Sequence, residues 1–515
     1  MCYNIKNRAT FQSESQEVVV LKPLISPAAM LERERNYFQT SGVKSIDAME
    51  RAARALADAV SAAVPAGSAI HLACGAGGNG GDGLACARLL SERYRCTVLL
   101  PEPPRSPDAV ANLARLERVP VLSMQELPNL PVPAAWVDAL FGTGLSRAPR
   151  EPWAALIRRI NADRDHGAKV FSADIPSGLN GATGQAYHPC VRADKTVTFQ
   201  YVKSGMVLAD GLDVCGEIAA ADIGLPPSAF EPTGCALWEP SDLTMWIPPR
   251  RRNIHKGLCG HLLIVAGSFG MAGAAALCAS AALRSGAGLV TVACVRSIVP
   301  ILQNLVPQAM CVPLEERDGA IAPEARPVLE GALRGKNAVV IGCGLSRRAD
   351  PGALEAVLDS GLPAVIDADA LNLLSDQTGM MKRLGRHHVL TPHPGEAARL
   401  IPGLDVSDPL AAARRLNALG ATVLLKGASS VIIGDGEPAV SASGCCGMAR
   451  GGSGDILSGI LGALLADSSS RTPAVSAVCA SEIHGLAGER AQRKYGSRAM
   501  NSKDILEFLP EVFPE

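Results

Sequence analysis

The sequence predicts an α/β protein of two successive units, each built on a mainly parallel sheet with helices on both faces. Three observations carry this. Short apolar runs of strand length alternate with helical segments along most of the chain. The alternation stops over the proline-rich stretch Pro226–Asn253 and restarts after it. Glycine, 51 of the 515 residues, concentrates where strand runs turn into helices. Hydrophobic residues at 48% and charged residues at 19% exclude wholesale disorder.

Residues 1–25 are expected to form a flexible extension; Met1–Glu17 is polar and lacks the apolar core of a signal peptide. Ser26–Val64 reads as helical, with Ile46, Met49, Ala53, Leu56 and Val60 along one face. Ala69–Ala73 reads as a strand, Gly75–Gly83 as a glycine turn and Leu84–Leu90 as the next helix. Thr97–Leu100, Ala135–Asp138, Val170–Asp174 and Thr196–Phe199 read as further strands. Pro226–Asn253 reads as a linker ending in Arg250–Arg252, a basic run expected to be a solvated face, with a phosphate patch as the alternative. Strands follow at His261–Ala266, Leu289–Ala293, Ala338–Ile341, Ala364–Asp367, Val389–Leu390 and Thr422–Leu425, with an alanine-rich helix over Ala272–Ser285. No repeat relates the halves, so two different domains are expected, 26–236 and 237–515.

The 49 basic and 50 acidic residues leave no surplus for nucleic acid, which is not expected as a partner. Met271–Cys294 is strongly apolar, but Arg284 and several glycines interrupt it. It reads as a packed helix and a buried strand, so no membrane span is expected. The 15 cysteines are scattered without a CxxC pair, as in a cytoplasmic protein with reduced thiols.

Two glycine-rich turns carry chemistry. Cys74–Gly83 (CGAGGNGGDG) lies between a strand and a helix, where backbone N–H groups can meet an anion. Its Gly75, Gly77 and Gly80 fit GxGxxG, a pattern common by chance. Val137–Gly144 (VDALFGTG) and Ala173–Gly178 (ADIPSG) end two further strands, where open α/β sheets bind ligands. Asn79, Asp138 and Ser177 converge there as an oxygen-only donor set, suited to a hard, weakly polarising cation. In the second half, Arg450–Asp455 (RGGSGD) opens an apolar helix. Its glycine amides form an anion hole, and Asp455 is placed to take a proton from a hydroxyl attacking phosphorus. Lys426–Ser430 ends one strand, and Thr391–Glu396 (TPHPGE) ends another, its prolines holding His393 stiffly.

The GGNGGDG, DALFGTGL and DIPSGL segments resemble the NAD(P)H-hydrate epimerase family over about Ser26–Leu225. The resemblance implies a Rossmann-like three-layer domain that interconverts the R and S hydrates of NADH and NADPH. It implies a potassium ion on Asn79, Asp138 and Ser177. It also implies substrate contacts from Gly78, Asn79, Gly80, Gly81 and Asp82, from Gly142, Thr143, Gly144, Leu145, Ser146, Arg147 and Ala148, and from Asp174. Gly78 stands where the family usually has a first asparagine. Epimerisation requires a C–O bond to open and re-form, and a carboxylate can move the proton. Asp174 is the candidate, Asp82 the second. Lys203, as a lone lysine, is expected to be solvated, with a phosphate contact as the alternative.

His255–Gly257, Gly267–Ser268, Ala272–Ala274, Gly342–Leu345 and Asp367–Asn372, with the three segments above, resemble the ADP- or ATP-dependent NAD(P)H-hydrate dehydratases from about Leu237 onward. This implies a ribokinase-like α/β fold and phosphorylation of the hydrate's hydroxyl, followed by loss of phosphate. Asp455 would be the base. Lys426, Gly427, Ala428, Ser429, Ser430 and Gly454 would hold ADP, with Mg2+. Ala274, Gly344, His393 and Asp455 would contact the hydrate. Cys343 stands where proline is frequent, and Arg450 and Ser453 replace threonines. The substrates are small molecules, and a homo-oligomer is expected. A small-molecule kinase and a non-catalytic N-terminal scaffold are the rival readings. The first would leave a stable phosphorylated product; the second conflicts with four site residues, Asn79, Asp82, Asp138 and Asp174, all being present.

Overall fold

A computed structural model describes residues 9–11, 19–229, 233–467 and 471–514. The chain divides into two compact units with main segments Pro23–Cys235 and Ala236–Glu515. Of the expected extension, residues 1–8 and 12–18 lie outside the described residues. Val19–Ile25 is a strand, not loose chain, and Leu24 and Ile25 pair with Val202 and Lys203.

The first unit is a seven-stranded sheet. Its strands are β1 (Ala69–Cys74), β2 (Arg95–Leu99), β3 (Val121–Leu122), β4 (Ala135–Ala139), β5 (Lys169–Ala173), β6 (Lys195–Phe199) and β7 (Glu217–Ala221). The order is β7-β6-β5-β4-β1-β2-β3, with every pair parallel. The sequence pattern found the five inner strands; β3 and β7 at the edges were not evident. β3 has two residues, and β7 is only half-buried, so neither shows the apolar run of a central strand.

The expected helical stretch is two helices, Pro27–Ser41 and Ser45–Ala63, parted by left-handed Gly42. The buried face of the second is Ala48, Ala52, Ala53, Leu56 and Val60. Ile46 and Met49 are only half-buried, because that end of the helix borders a cleft rather than the core.

In the second unit the strands are β8 (Ala236–Trp238), β9 (His261–Val265), β10 (Leu289–Val295), β11 (Met310–Leu314), β12 (Ala338–Ile341) and β13 (Ala364–Ile366). They continue with β14 (His388–Leu390), β15 (Thr422–Leu425), β16 (Ser430–Ile433) and β17 (Ala439–Ser441). They run β8-β17-β16-β15-β14-β13-β12-β9-β10-β11. All neighbours are parallel except β15–β16 and β16–β17, which are antiparallel. The expected linker is therefore partly ordered sheet, since β8 pairs with β17. Helices Ala272–Arg284 and Ser453–Ala466 pack at van der Waals distance through Gly459. A Cβ there would lie 2.2 Å from the Cys278 carbonyl. The Arg250 guanidinium donates to the Gly286 carbonyl at 2.6 Å, while Arg251 and Arg252 are exposed. Among the described residues no helix is long and apolar enough to cross a membrane. The described cysteines are free thiols, most of them buried.

Candidate functional site

The first site lies at the carboxyl ends of β1, β4 and β5. The CGAGGNGGDG turn is shorter than expected: the helix begins at Gly78, not Leu84, and runs to Leu90. Asn79 and Asp82 thus project from its first turns, where unpaired amides give a positive end. Close backbone approach requires the glycines. A Cβ on Gly75 would lie 2.0 Å from the Leu140 carbonyl, and one on Gly80 would lie 1.7 Å from the Gly75 carbonyl. Gly80 and Gly81 are accordingly buried packing residues, while Gly78, Asn79 and Asp82 line a cleft of about 730 Å³.

Gly142, Thr143, Gly144, Leu145 and Asp174 share that cleft; Ser146, Arg147 and Ala148 are not in its wall. Gly142 is the wedge between two partners, since a Cβ there would lie 3.3 Å from both Asn79 Cγ and Asp174 Oδ2. Asp138 is fully buried. It accepts from Ser172 Oγ at 2.9 Å, Ser177 N at 2.8 Å, Ser177 Oγ at 2.6 Å and Leu140 N at 3.3 Å. Burial still holds its carboxyl above the ordinary range, against those hydrogen bonds. Ser177 Oγ in turn accepts from Phe141 N at 2.9 Å. Both side-chain polar atoms of Asn79 are buried without a hydrogen-bond partner among the described residues. A buried amide oxygen left unpaired costs about 1–3 kcal/mol, so this is where a cation with oxygen ligands fits.

The carboxylates form a second group. Asp174 takes a left-handed backbone, φ 64°, unusual for a residue with a Cβ. Lys203, expected in solvent, is instead 1% exposed. Its Nζ donates to Asp174 Oδ1, to Thr198 Oγ1 at 3.0 Å and to the Phe199 carbonyl at 2.9 Å. Burial pushes Asp82 well above the ordinary carboxylate value, reinforced by Asp174 and Glu34. No motif marked Glu34, and its role in the cleft is visible only in three dimensions. The one sequence signal is its i, i+4 spacing from the buried Met30 on the same helix.

The second site lies at the carboxyl ends of β13, β14 and β15. Helix Ser453–Ala466 starts after left-handed Gly452, so Gly454 and Asp455 are in its first turn. Lys426 Nζ lies 2.7 Å from Asp367 Oδ1 and 3.9 Å from Glu396 Oε2. Ser458 Oγ donates to Asp367 Oδ2 at 2.7 Å. A Cβ on Gly454 would lie 3.6 Å from Lys426 Nζ, so the turn rests on the ion pair. Burial works against both charges. Yet Lys426 keeps Asp367 below the usual carboxylate range, and Asp367 and Glu396 hold Lys426 above the usual lysine value. Asp455 is raised, by burial first and then by Asp367, while a hydrogen bond from Cys343 opposes the shift.

His393 caps helix Pro394–Leu400. Its Nδ1 accepts from Gly395 N at 3.0 Å, and Glu396 Oε2 accepts from His393 N at 2.8 Å. An accepting Nδ1 leaves Nε2 as the donor on a half-exposed ring. Lys426 N donates to the Pro392 carbonyl at 2.9 Å, tying these two strand ends together. Lys426–Ser430 contains the turn of the β15–β16 hairpin. Gly344, φ 60°, packs on Ala274, where a Cβ would come within 2.9 Å of the Ala274 Cβ. The Arg450 guanidinium donates to the Gly447 and Ser497 carbonyls at 3.2 and 3.1 Å. Ser453 Oγ lies 3.3 Å from Nε2 of His484, a buried imidazole held down to about 4 by desolvation.

Two strand-end sites, each with a glycine turn opening a helix beside carboxylates and a lysine paired to one of them, define a two-site α/β enzyme acting on anionic ligands. Family models agree in extent. Residues 262–511 match the NAD(P)H-hydrate dehydratase family, and residues 45–205 match the YjeF-related protein N-terminus family. A bifunctional NAD(P)H-hydrate repair enzyme of Moorella thermoacetica is 38% identical over 86% of this chain and 87% of that protein. Its counterpart from Coxiella burnetii is 36% identical over 91% and 95%, and that from Escherichia coli is 35% identical over 93% and 92%. Among solved structures, an ADP/ATP-dependent NAD(P)H-hydrate dehydratase from Bacillus subtilis is 26% identical, covering 54% of this chain and 97% of its own, with TM-score 0.44. The chain belongs to the bifunctional NAD(P)H-hydrate repair enzyme family.

Proposed function

We propose that the first unit, residues 26–236, epimerises the R and S hydrates of NADH and NADPH. The second, residues 237–515, dehydrates the S-hydrate with ADP, giving AMP and phosphate. The observation that carries the second assignment is the Asp367–Lys426 pair under the Gly454–Asp455 turn. It supports the reading, because a fixed ammonium and helix amides there would meet the charge of a phosphoryl group, next to a carboxyl raised toward proton exchange. Asp455 takes the proton as the hydrate's hydroxyl attacks the terminal phosphorus of ADP. The phosphate ester then leaves as phosphate while the neighbouring carbon loses a proton, which restores the dihydronicotinamide. Hydroxide is a poor leaving group and phosphate a good one, so the nucleotide is consumed for a chemical reason. Lys426, Gly427, Ala428, Ser429, Ser430 and Gly454 hold the nucleotide; Ala274, Gly344 and His393 contact the hydrate. Magnesium binds chiefly to phosphate oxygens and water, and enters with the nucleotide.

In the first unit the cleft holds the dinucleotide over the Gly78 amide end, and Asp174 with Asp82 lies at the reacting carbon. The unpartnered Asn79 oxygen, with Ser177 and Asp138, supports a potassium site. Bound there, the ion would supply fixed positive charge near the substrate. Asp138 anchors Ser177 through two hydrogen bonds. The reading also takes the protein to be a cytoplasmic homo-oligomer.

The test uses the full chain with separated R and S hydrates. With ADP both should recover nicotinamide absorbance, the R form only through the S form, with one phosphate released per turnover. No recovery of the S-hydrate with ADP or ATP would reject the dehydratase assignment. A stable phosphorylated product would mean a kinase.

A further inference from the structure

Glu34 lies on helix Pro27–Ser41, one turn beyond the buried Met30 that fixes this helix to the core. It lines the same cleft as Asp82, Asp174 and Lys203, with Glu102, Arg105 and Asp108 as the other charged groups of the wall. The other two carboxylates at the centre also line the cleft but are less exposed than Glu34. Asp174 Oδ1 takes Lys203, Thr198 Oγ1 at 3.3 Å and Phe199 N at 3.3 Å, and Asp82 is buried. The Glu34 side chain lines the cleft and, among the described residues, makes no side-chain hydrogen bond or ion pair. Desolvation pushes its carboxyl up to about 7, with Lys203 pulling down and Asp174 pushing up. Such a group exchanges protons efficiently near neutral pH.

We propose that Glu34 is an acid/base catalyst of the epimerisation, acting in the cleft beside the Asp174–Lys203 pair. The inference rests on the epimerase reading of the first unit. In the first step the protonated Glu34 gives its proton to the hydrate's hydroxyl. The C–O bond breaks with its electron pair going to oxygen, water departs, and the lone pair of the ring nitrogen forms a C=N bond. In the second step water adds to the opposite face. Its oxygen lone pair forms the new C–O bond, the C=N pair returns to nitrogen, and the released proton returns to the Glu34 carboxylate. Protons and electrons balance, and the reverse conversion is the same path read backward.

The experiment compares full-length wild type, Glu34→Gln and Glu34→Asp on the separated R-hydrate with excess ADP, and on the S-hydrate as control. Glu34→Gln should slow R-hydrate recovery about 10²–10⁴-fold and leave S-hydrate recovery unchanged. The wild-type epimerisation rate should fall as pH rises through about 7. That break should vanish in Glu34→Gln and return, displaced, in the partly active Glu34→Asp. A Glu34→Gln rate close to wild type, or a slowed rate with the break retained, would overturn the proposal. A wild type that recovers the S-hydrate but never the R-hydrate would instead reject the epimerase reading itself.

Discussion

The two glycine turns look alike in sequence and differ in how their charges are satisfied. At Arg450–Asp455 the network is closed. Asp367 is paired with Lys426, bonded by Ser458 and held ionised, and Ser453 meets a neutral His484. At Cys74–Gly83 it is open. The Asn79 side chain has no partner among the described residues, Glu34 and Asp82 are pushed toward their protonated forms, and Lys203 pairs with Asp174. A closed ion pair suits phosphoryl transfer, where positive charge must be fixed before the reaction. An open set of raised carboxyls suits proton movement with little charge build-up.

The sharpest way to break the comparison is Asp455→Asn. Phosphate release should fall at least about 10³-fold, while R-to-S conversion, followed by chromatography, continues; equal loss of both would mean the sites are not separate. Next comes Lys203→Met. It leaves Asp174 buried and unpaired, so the first unit should lose about 3–5 kcal/mol in denaturant unfolding and epimerise poorly. An unaltered unfolding midpoint would contradict the pair's burial. Asn79→Ala should slow epimerisation about tenfold, the scale of a lost 1–2 kcal/mol interaction, and abolish its response to potassium. Retained potassium dependence would reject Asn79 as the ion's ligand. His393→Ala should cost about 0.5–2 kcal/mol as a lost helix cap and raise the KM for the hydrate.

The smallest effect is on stability against pH. A carboxyl raised in the folded state stabilises that state while protonated, and the benefit fades as pH rises from the ordinary 4.5 through about 7. Glu34→Gln should therefore flatten the decline in first-unit stability over that window. An unchanged slope would mean that Glu34 is solvated.

Much of this was legible in the chain. Inner strands such as Ala338–Ile341 and Thr422–Leu425 are continuous apolar runs because both faces of a parallel sheet are covered. The edge strands Val121–Leu122 and Glu217–Ala221 carry no such run, and Ala236–Trp238 was hidden among prolines. Glycine marked both turns for different reasons: a Cβ on Gly75 or Gly80 would lie within 2.0 Å of a carbonyl, whereas Gly452 takes a left-handed φ of 91°.

By itself the sequence determined the α/β class and the strand-end placement of both glycine turns, and it singled out Asn79, Asp138, Asp174, Lys426 and Asp455 as candidates. Each of these follows from local pattern, which the backbone period of strands and helices makes readable. Tertiary structure alone decided the electrostatics. Lys203 became a buried counter-ion, Glu34 joined a cleft from a helix that bears no motif, Arg450 turned to backbone carbonyls, and Asp367 became the anchor of Lys426. Charge, desolvation and proton affinity depend on what lies within a few ångströms in space. Those neighbours come from segments far apart in the chain.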